Sequence, residues 1–441
     1  MSIALHTLSA LSDADRAELL LRADDALDPF LEAVRPIIAA VEAEGDAALA
    51  RFAQQFDKAP VEADQLAATP ADFDAAFDAL DPALVDTLGY SADNIRRYHE
   101  QQKPQPMWMT EIRPGVMVGE RHTPIDSVAC YAPRGKGCFP SVTLMTCIPA
   151  VVAGVPTPVL LSPPGPDGGI DAGTLVAAKL AGVEQVYKVG GAQAVAAVAY
   201  GTDTVPRCRK ILGPGSPWLV AAKRLLAGRI DAGLPAGPSE VIVMADPSAN
   251  PDIAALDLLI ESEHGPDSSA FLVTWSAELA AAVQAKVPDY WAHMSDTLSG
   301  YSREVLSGTR GGIVLADGPE DAYAFINDYA PEHLQVLSKT PWEHLAHIRN
   351  ASEILLGEHA PGCIANYMMG PNCVLPTGGG AHTWSPLNVG DFMKSQSIGH
   401  MTETGYREMA PHTERFARYE GFDAHANAVG VLRDEAHKSG S

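Results

Sequence analysis

The chain has 441 residues, 46% of them apolar and 20% charged, which is the composition of a globular protein with room for two or three domains. Its net charge of −24 argues against nucleic acid and anionic membranes as partners, because both repel an acidic surface. No apolar run is long enough to predict a membrane-spanning helix.

The cysteines and the N-terminus bear on the cellular compartment. None of the six cysteines forms a C-x-x-C pair, and a chain of this length does not need disulfides to fold. The first residues include early acids and lack the basic, then apolar, pattern of a secretory signal. These features predict a protein of the reducing cytoplasm.

The residue composition and its spacing change along the first half of the chain. Residues 1–110 are rich in Ala, Asp, Glu and Leu at helical spacing, and strand-like residues follow from about residue 114. Between 128 and 246, short apolar runs alternate with helical segments. This alternation is typical of βαβ units with a buried parallel sheet.

Glycines follow several of these apolar runs, at Gly165, at Gly190 and Gly191, and at Gly213 and Gly215. Glycine allows the backbone to approach a phosphate closely, and the helix N-termini that follow attract anions. No G-x-G-x-x-G fingerprint follows a strand. A dinucleotide site therefore rests on the architecture alone, with even odds for and against it.

A helix is predicted from Asn250, a suitable N-cap, and Pro251 to a stop at Gly265-Pro266. Ile253, Leu256, Leu259 and Ile260 form its apolar pattern, whereas Asp257, Glu261 and His264 share another face. Glu261 and His264 at the helix end could hold a metal, since both donors project the same way. The alternative is a solvated polar face with a His stabilised by the helix C-terminus.

A second acid and histidine pair, Glu332 and His333, follows Pro331. Proline favours a helix start, so the pair is predicted in a first helical turn or the loop before it. A neutral imidazole there could act as a general base, with the carboxylate orienting it or activating water. A capping Glu beside an exposed His explains the spacing equally well.

Several motifs in a fixed order resemble the histidinol dehydrogenase family, from about residue 30 to residue 435. They are "LPAGPSEV" at 234–241, "ESEHGPDS" at 261–268, "YAPEHL" at 329–334, "GPNCVLPT" at 370–377 and "EGFDAHANAV" at 420–429. The segments "ACYAPRG", "VGGAQAVAA" and "ILGPGSPWLVAAKR" match its central region. Ordered blocks are far more specific than any single short motif.

The resemblance implies a zinc enzyme that uses two NAD in succession to oxidise a primary alcohol through the aldehyde to the carboxylate. It also implies a homodimer with intertwined C-terminal tails, in which each tail completes the partner's site. The implied roles are metal ligation by Glu261, His264, Asn366 and His425, catalysis by Glu332 and His333, substrate contact by Ser239, Cys373 and Glu420, and NAD contact by Tyr131, Gln193 and Ser216.

This chain departs from the family pattern at the site. Glu261 stands where the family has glutamine, and Asn366 where it has aspartate, so the ligand set keeps one carboxylate and its charge. A preserved ligand charge favours a retained metal site. Cys373 replaces a substrate-contacting histidine, and Ser216 replaces an asparagine that contacts NAD. The reaction type is therefore better defined than the substrate, which is L-histidinol or another small polar alcohol such as a sulfonated propanediol.

The predicted fold is α/β, with two doubly wound, incomplete Rossmann-like domains, a helical N-terminal segment and a helical C-terminal tail. The predicted limits are 1–26 for the segment, 27–130 plus 244–387 for the domain with the metal and catalytic residues, 131–243 for the NAD domain, and 388–441 for the tail.

Two other functions stay open. One is an aldehyde dehydrogenase with Cys373 as nucleophile, which needs a reactive thiol near a base. The other is a non-catalytic metal-binding or scaffold protein on the same fold. Chelation would stop the metal-dependent enzyme but not the cysteine enzyme, and the scaffold would form no NADH.

Overall fold

The structure is a computed structural model that describes residues 3–22, 27–135 and 137–439. The outermost residues of the predicted segments 1–26 and 388–441 therefore lie outside the described part. The chain divides into two compact units, one of Met1–Lys103 with Ile125–Phe392 and one of Pro104–Pro124 with Met393–Ser441. The predicted α/β class is confirmed, because parallel sheets alternate with helices along the first unit.

The α-helices are α1 (Asp13–Leu19), α2 (Asp28–Glu44), α3 (Asp46–Phe52), α4 (Pro70–Ala79), α5 (Pro82–Gln102), α6 (Pro140–Ala153), α7 (Ala172–Ala181), α8 (Gly191–Tyr200), α9 (Pro217–Leu226), α10 (Pro251–Ser262), α11 (Ala277–Trp291), α12 (Asp296–Ser307), α13 (Pro319–Tyr329), α14 (Pro341–Leu345), α15 (Gly362–Ile364), α16 (Glu403–Tyr419), α17 (Asp423–Asn427) and α18 (Val431–Ser439). The strands are β1 (Leu5–Thr7), β2 (Met107–Arg113), β3 (Val116–Pro124), β4 (Ser127–Tyr131), β5 (Thr157–Ser162), β6 (Val186–Lys188), β7 (Lys210–Leu212), β8 (Glu240–Ala245), β9 (Ser269–Thr274), β10 (Gly311–Leu315), β11 (His333–Leu337), β12 (Glu353–Leu356) and β13 (Met393–Met401).

A six-stranded parallel sheet has the order β1-β10-β9-β8-β11-β12. Side chains of β8 alternate between the two faces of the sheet. Val241 and Val243 pack with α10, α11 and α12 on one face, and Ile242 and Met244 pack with α13 on the other. Strands covered on both faces need continuous apolar runs, and "EVIVMA" of β8 is buried throughout.

A four-stranded parallel sheet has the order β6-β5-β4-β7. Helices α2, α3, α8 and α9 cover one face, where Ala129 and Tyr131 of β4 join the core. Helix α6 packs against β4 and β5. The carboxyl ends of these strands carry the glycine-rich turns identified in the sequence.

The second unit contains a three-stranded antiparallel sheet in the order β13-β3-β2, together with α16, α17 and α18. The prediction of a wholly helical tail missed β13, because "MKSQSIGHM" is mostly exposed and is held to β3 by backbone hydrogen bonds rather than by an apolar pattern. The segment 1–26 likewise contains β1 as well as α1. The predicted domain limits remain a prediction. Among the described helices, none is long and apolar enough to cross a bilayer.

Candidate active site

Helix α10 brings Glu261 to the starting ends of the central strands. Its predicted N-cap is correct, since Asn250 Oδ1 accepts a hydrogen bond from the Asp252 amide at 2.9 Å. The predicted apolar face is wrong at Leu256, which is 47% exposed, whereas Asp257 and Glu261, predicted together on another face, are both buried. Glu261 is only 2% exposed, so the alternative of a solvated polar face is wrong for this carboxylate.

Glu261, His264, Ser239 and Asn366 form one hydrogen-bonded cluster. His264 lies just beyond the end of α10, not in its last turn as predicted, and its Nδ1 is 2.9 Å from Glu261 Oε2 and 2.8 Å from Ser239 Oγ. Asn366 Nδ2 donates to Glu261 Oε1 at 3.1 Å. Burial raises the pKa of Glu261, but the charge and hydrogen bond of His264 outweigh it and lower that pKa to about 2. This carboxylate is therefore ionised at neutral pH.

Asn366 carries the strongest sign of a ligand site. It lies in a wide, π-type turn (Ala365–Met369), a distortion common at functional sites. Its Oδ1 is buried and has no hydrogen-bond partner in the described part of the chain. A buried amide oxygen without a donor is costly unless something else binds it.

The donor set fits a divalent metal ion. One carboxylate, one imidazole and one free amide oxygen are the mixed nitrogen and oxygen ligands that suit zinc. Within residues 3–22, 27–135 and 137–439, no group of three or more His, Cys, Asp or Glu side chains is arranged to hold a metal. The amide of Asn366 would therefore have to supply one of the ligands in this chain.

Glu332 and His333 are brought to the same region, but not by a helix as predicted. Helix α13 ends at Tyr329, and Ala330 then takes a left-handed conformation with φ of 51°. His333 begins β11, which is wholly buried between β8 and β12. The apolar run after His333 is buried in the centre of the sheet. The free energy of this burial outweighs the preference of Pro331 for a helix start, so the segment forms a strand.

The side chain of His333 is held by a residue that the sequence reasoning missed. Its Nδ1 lies 2.7 Å from Oε2 of Glu353, at the start of β12. Glu332 Oε2 accepts the Glu240 amide at 2.9 Å, and Glu332 Oε1 lies 3.9 Å from His333 Nε2. Glu240 was also missed. In both cases an acid directly before an apolar run was the available signal.

The charges around His333 reverse the expected effect on its protonation. Burial lowers the pKa of His333, but the carboxylates of Glu332, Glu353 and Glu261 outweigh burial and raise it. The helix-dipole argument for a neutral imidazole was therefore wrong. Burial also raises the pKa of Glu332. Both groups therefore retain a proton to higher pH than the free side chains do.

Cys373 lies close enough to this acidic cluster to be affected by it. Burial and the charges of Glu353, Glu332 and Glu261 raise the pKa of its thiol well above the usual range. A thiolate, not a thiol, is the attacking species in cysteine catalysis. This environment therefore weakens the interpretation of Cys373 as a nucleophile.

The residues expected to contact NAD lie at the carboxyl ends of the four-stranded sheet. Tyr131 ends β4, and its hydroxyl accepts the Gly191 amide at 3.0 Å. Gln193 is buried in the first turn of α8, and Ser216 is the exposed N-cap of α9. A Cβ on Gly213 would lie 2.2 Å from the Tyr131 carbonyl oxygen, so only glycine fits there. Glycine thus lets the turn after β7 pack against the end of β4, at the edge where doubly wound sheets bind dinucleotides.

Glu420 and His425 belong to the second unit. Glu420 follows the last residue of α16, and His425 lies in α17, where its ring is 5.2 Å from that of Phe422. Both side chains are exposed within that unit. Their roles as a substrate contact and a metal ligand in a partner subunit stay predictions.

The fold and the site define an α/β protein with a buried acid and imidazole cluster beside donors suited to a metal. The sequence model described as histidinol dehydrogenase matches residues 20–433. The chain belongs to the histidinol dehydrogenase family, which implies an oxidoreductase acting on CH–OH donors.

Named relatives agree with this assignment. The chain is 59% identical to a histidinol dehydrogenase homolog from Colwellia psychrerythraea, over 99% of this chain and 98% of that one. It is 44% identical to a histidinol dehydrogenase from Synechocystis sp., over 96% and 97% of the two chains. The crystal structure of histidinol dehydrogenase from Elizabethkingia anophelis superposes with a TM-score of 0.92 at 29% identity, covering 99% of each chain.

Proposed function

We propose that the protein is a zinc-dependent NAD oxidoreductase that oxidises a primary alcohol through the aldehyde to the carboxylate, using two NAD. The observation that carries this proposal is the unpartnered, buried Oδ1 of Asn366 beside Glu261 and His264. The acid and imidazole pair, Glu332 and His333, supports it, because it supplies a base next to these donors.

In this proposal Glu261, His264 and Asn366 hold the metal together with His425 of the partner subunit. A bound divalent ion would position the substrate hydroxyl and polarise its oxygen. The Ser239 hydroxyl, hydrogen-bonded to His264 Nδ1, orients that imidazole and leaves its Nε2 as the ligating atom. Glu420 of the partner subunit would contact the substrate.

His333 is the general base of both oxidations. Its Nδ1 is bonded to Glu353, so Nε2 is the atom that takes the hydroxyl proton as hydride leaves for NAD. Glu332 then takes a proton from the water that adds to the aldehyde. His333 returns the first proton to the former aldehyde oxygen, which completes a gem-diol and leaves the imidazole neutral again. The gem-diol would then lose a hydride to a second NAD and a hydroxyl proton to His333. One alcohol, one water and two NAD thus yield one carboxylate, two NADH and three protons.

NAD would bind where Tyr131, Gln193 and Ser216 meet the carboxyl ends of the four-stranded sheet. The exposed N-cap Ser216 makes no capping hydrogen bond with its side chain, which leaves its hydroxyl available to the cofactor. The helix N-termini of α8 and α9 favour an anionic ligand at this edge.

The substrate is a small polar alcohol, and L-histidinol and a sulfonated propanediol are the two candidates to compare. Cys373 gives the pocket a weak, neutral hydrogen-bond donor in place of an imidazole. Relatives at 55–59% identity carry the name homolog, whereas those at 39–44% carry the name histidinol dehydrogenase. Both observations favour a substrate other than L-histidinol.

The test combines metal analysis with NADH formation from a panel of alcohols that includes both candidates. The wild type should carry about one zinc per chain and form about two NADH for each alcohol consumed. His264→Ala should lose the metal and the turnover, whereas the control variant His293→Ala, at an exposed histidine of the loop after α11, should keep both. Undiminished NADH formation after complete metal removal would overturn the proposal.

The dimer with exchanged tails has its own test. His264→Ala and His425→Ala proteins should each be inactive, but mixed dimers formed by subunit exchange should recover part of the activity. In a mixed dimer one composite site carries both changes and the other carries neither. No recovery, with exchange verified, would place His425 outside the partner's site.

We also propose a cytoplasmic location, supported by six free cysteines.

A further inference from the structure

Two charged side chains at the carboxyl edge of the four-stranded sheet have polar atoms without partners. Asp57 Oδ2 and Arg134 Nη1 are both buried and lack a hydrogen-bond partner within the described residues. Both side chains are half-buried overall, so the rest of each remains open to a ligand. Neither residue belongs to the set expected to bind NAD.

The chain holds both side chains at this edge by specific local structure. Asp57 ends the wide helical turn Ala53–Asp57 that follows α3, and Lys58 then reverses the chain with φ of 58°. Arg134 lies three residues after the end of β4 and crosses Gly165, which follows β5. A Cβ on Gly165 would lie 2.2 Å from Arg134 Nη1, so the guanidinium occupies the space that glycine leaves.

Asp57 lies within electrostatic reach of both Tyr131 and Arg134 at this edge. The charge of Asp57 contributes to the raised pKa of Tyr131, to which burial contributes most. Burial raises the pKa of Asp57 to about 6, and the charge of Arg134 opposes that rise. Asp57 therefore interacts with each of the other two groups, and the Tyr131 hydroxyl accepts a hydrogen bond from the Gly191 amide that begins α8.

The unpartnered atoms require opposite partners. A carboxylate oxygen accepts hydrogen bonds, as from the vicinal hydroxyls of a ribose, and a guanidinium donates to an anion such as a phosphate. A nucleotide offers both groups side by side, whereas a free phosphate ion would be repelled by the carboxylate. A doubly wound sheet binds nucleotides at this edge.

We propose that Asp57 and Arg134 are two further NAD-binding residues, Asp57 accepting hydrogen bonds from ribose hydroxyls and Arg134 pairing with the adjoining phosphate. This inference rests on the proposed function, since it names additional residues of the same cofactor site.

The experiment measures ADP-ribose binding by calorimetry to the full-length, metal-loaded protein. ADP-ribose contains the ribose and phosphate groups but cannot react, so the readout is independent of turnover. Asp57→Asn and Arg134→Met should each weaken binding by roughly 10- to 100-fold, the effect of losing a hydrogen bond to a charged group. Arg134→Met should also reduce the salt dependence of binding. Asp46→Asn is the matched control, because Asp46 also has a buried, unpartnered oxygen but lies at the start of α3.

Steady-state kinetics provides the second readout. Both variants should raise KM for NAD and leave KM for the alcohol and the zinc content unchanged, which global unfolding would not do. Wild-type affinity for ADP-ribose in both variants would overturn this inference alone. A wild-type protein that neither binds ADP-ribose nor reduces NAD would instead overturn the proposed function.

Discussion

Replacing Glu353 with glutamine isolates the effect of one buried charge on the proposed base. Glu353 Oε2 lies 2.7 Å from His333 Nδ1, and both side chains are about 6% exposed. Glutamine keeps the volume and can still accept the Nδ1 hydrogen bond, so the imidazole should keep its orientation. The change therefore removes the charge with little loss of packing.

The magnitude follows from the charge-assisted hydrogen bond. Such a bond contributes about 1.5–3 kcal/mol, which corresponds to roughly one to two units in the pKa of His333. Glu353 favours the imidazolium, so its removal lowers that pKa. In the wild type the raised pKa means that the neutral base appears only as the pH rises. In Glu353→Gln the rise of kcat/KM with pH should move to lower pH by about that amount.

NADH formation with alcohol, measured across the neutral and alkaline range, tests this shift. The alkaline plateau should fall because the base is weaker, but by less than the roughly 100- to 10,000-fold loss expected when a general base is removed. Glu343→Gln, at a surface acid of α14, is the control. A pH profile identical to the wild type would refute the claim that Glu353 sets the basicity of His333.

Two further predictions concern the second oxidation and a buried lysine. Glu332→Gln should slow aldehyde turnover more than alcohol turnover, because an amide cannot take a proton from water; equal slowing would contradict the division of roles. Burial lowers the pKa of Lys223 from 10.5 to about 8, so its protonation costs the folded state about 3 kcal/mol below pH 8, a cost that fades as the pH rises towards 10.5. Lys223→Met loses a 2.7 Å hydrogen bond to the Gly213 carbonyl, worth about 1 kcal/mol. Its free energy of unfolding in urea should nevertheless be higher at neutral pH, and less dependent on pH, than that of the wild type or of the exposed control Lys179→Met. An unchanged pH dependence would contradict the predicted direction of the Lys223 effect.

The sequence predicted the elements that local rules govern. Asn250 and Pro251 mark the start of α10 because capping and proline geometry act within one turn. The alternation of apolar runs and helices predicted parallel sheets, because buried strands require such runs. The carboxylate and imidazole of Glu261 and His264 were correctly expected side by side.

The sequence could not predict what depends on contacts between distant segments. Glu332 and His333 were expected at a helix start. Glu332 lies instead just before β11 and His333 at its start, because β11 pairs with β8 and β12 in the sheet. The role of Glu353 arises from that register, in which it lies beside His333. Strand β13 is invisible to patterning because its side chains are mostly exposed.

The strand orders of the two parallel sheets have an evolutionary consequence. Four consecutive strands of each sheet lie side by side in the order third, second, first, fourth: β6-β5-β4-β7 in one sheet and β10-β9-β8-β11 in the other. An internal duplication would leave this pattern. Yet the candidate NAD residues lie at the carboxyl edge of one sheet, and Glu240, His333 and Glu353 lie at the amino edge of the other. At the carboxyl edge of the six-stranded sheet, Asp246 accepts hydrogen bonds from Ser338 and Ser248 and pairs with His344. If the halves descend from one ancestor, the second half has filled its nucleotide edge with side chains and acquired its chemistry at the opposite end.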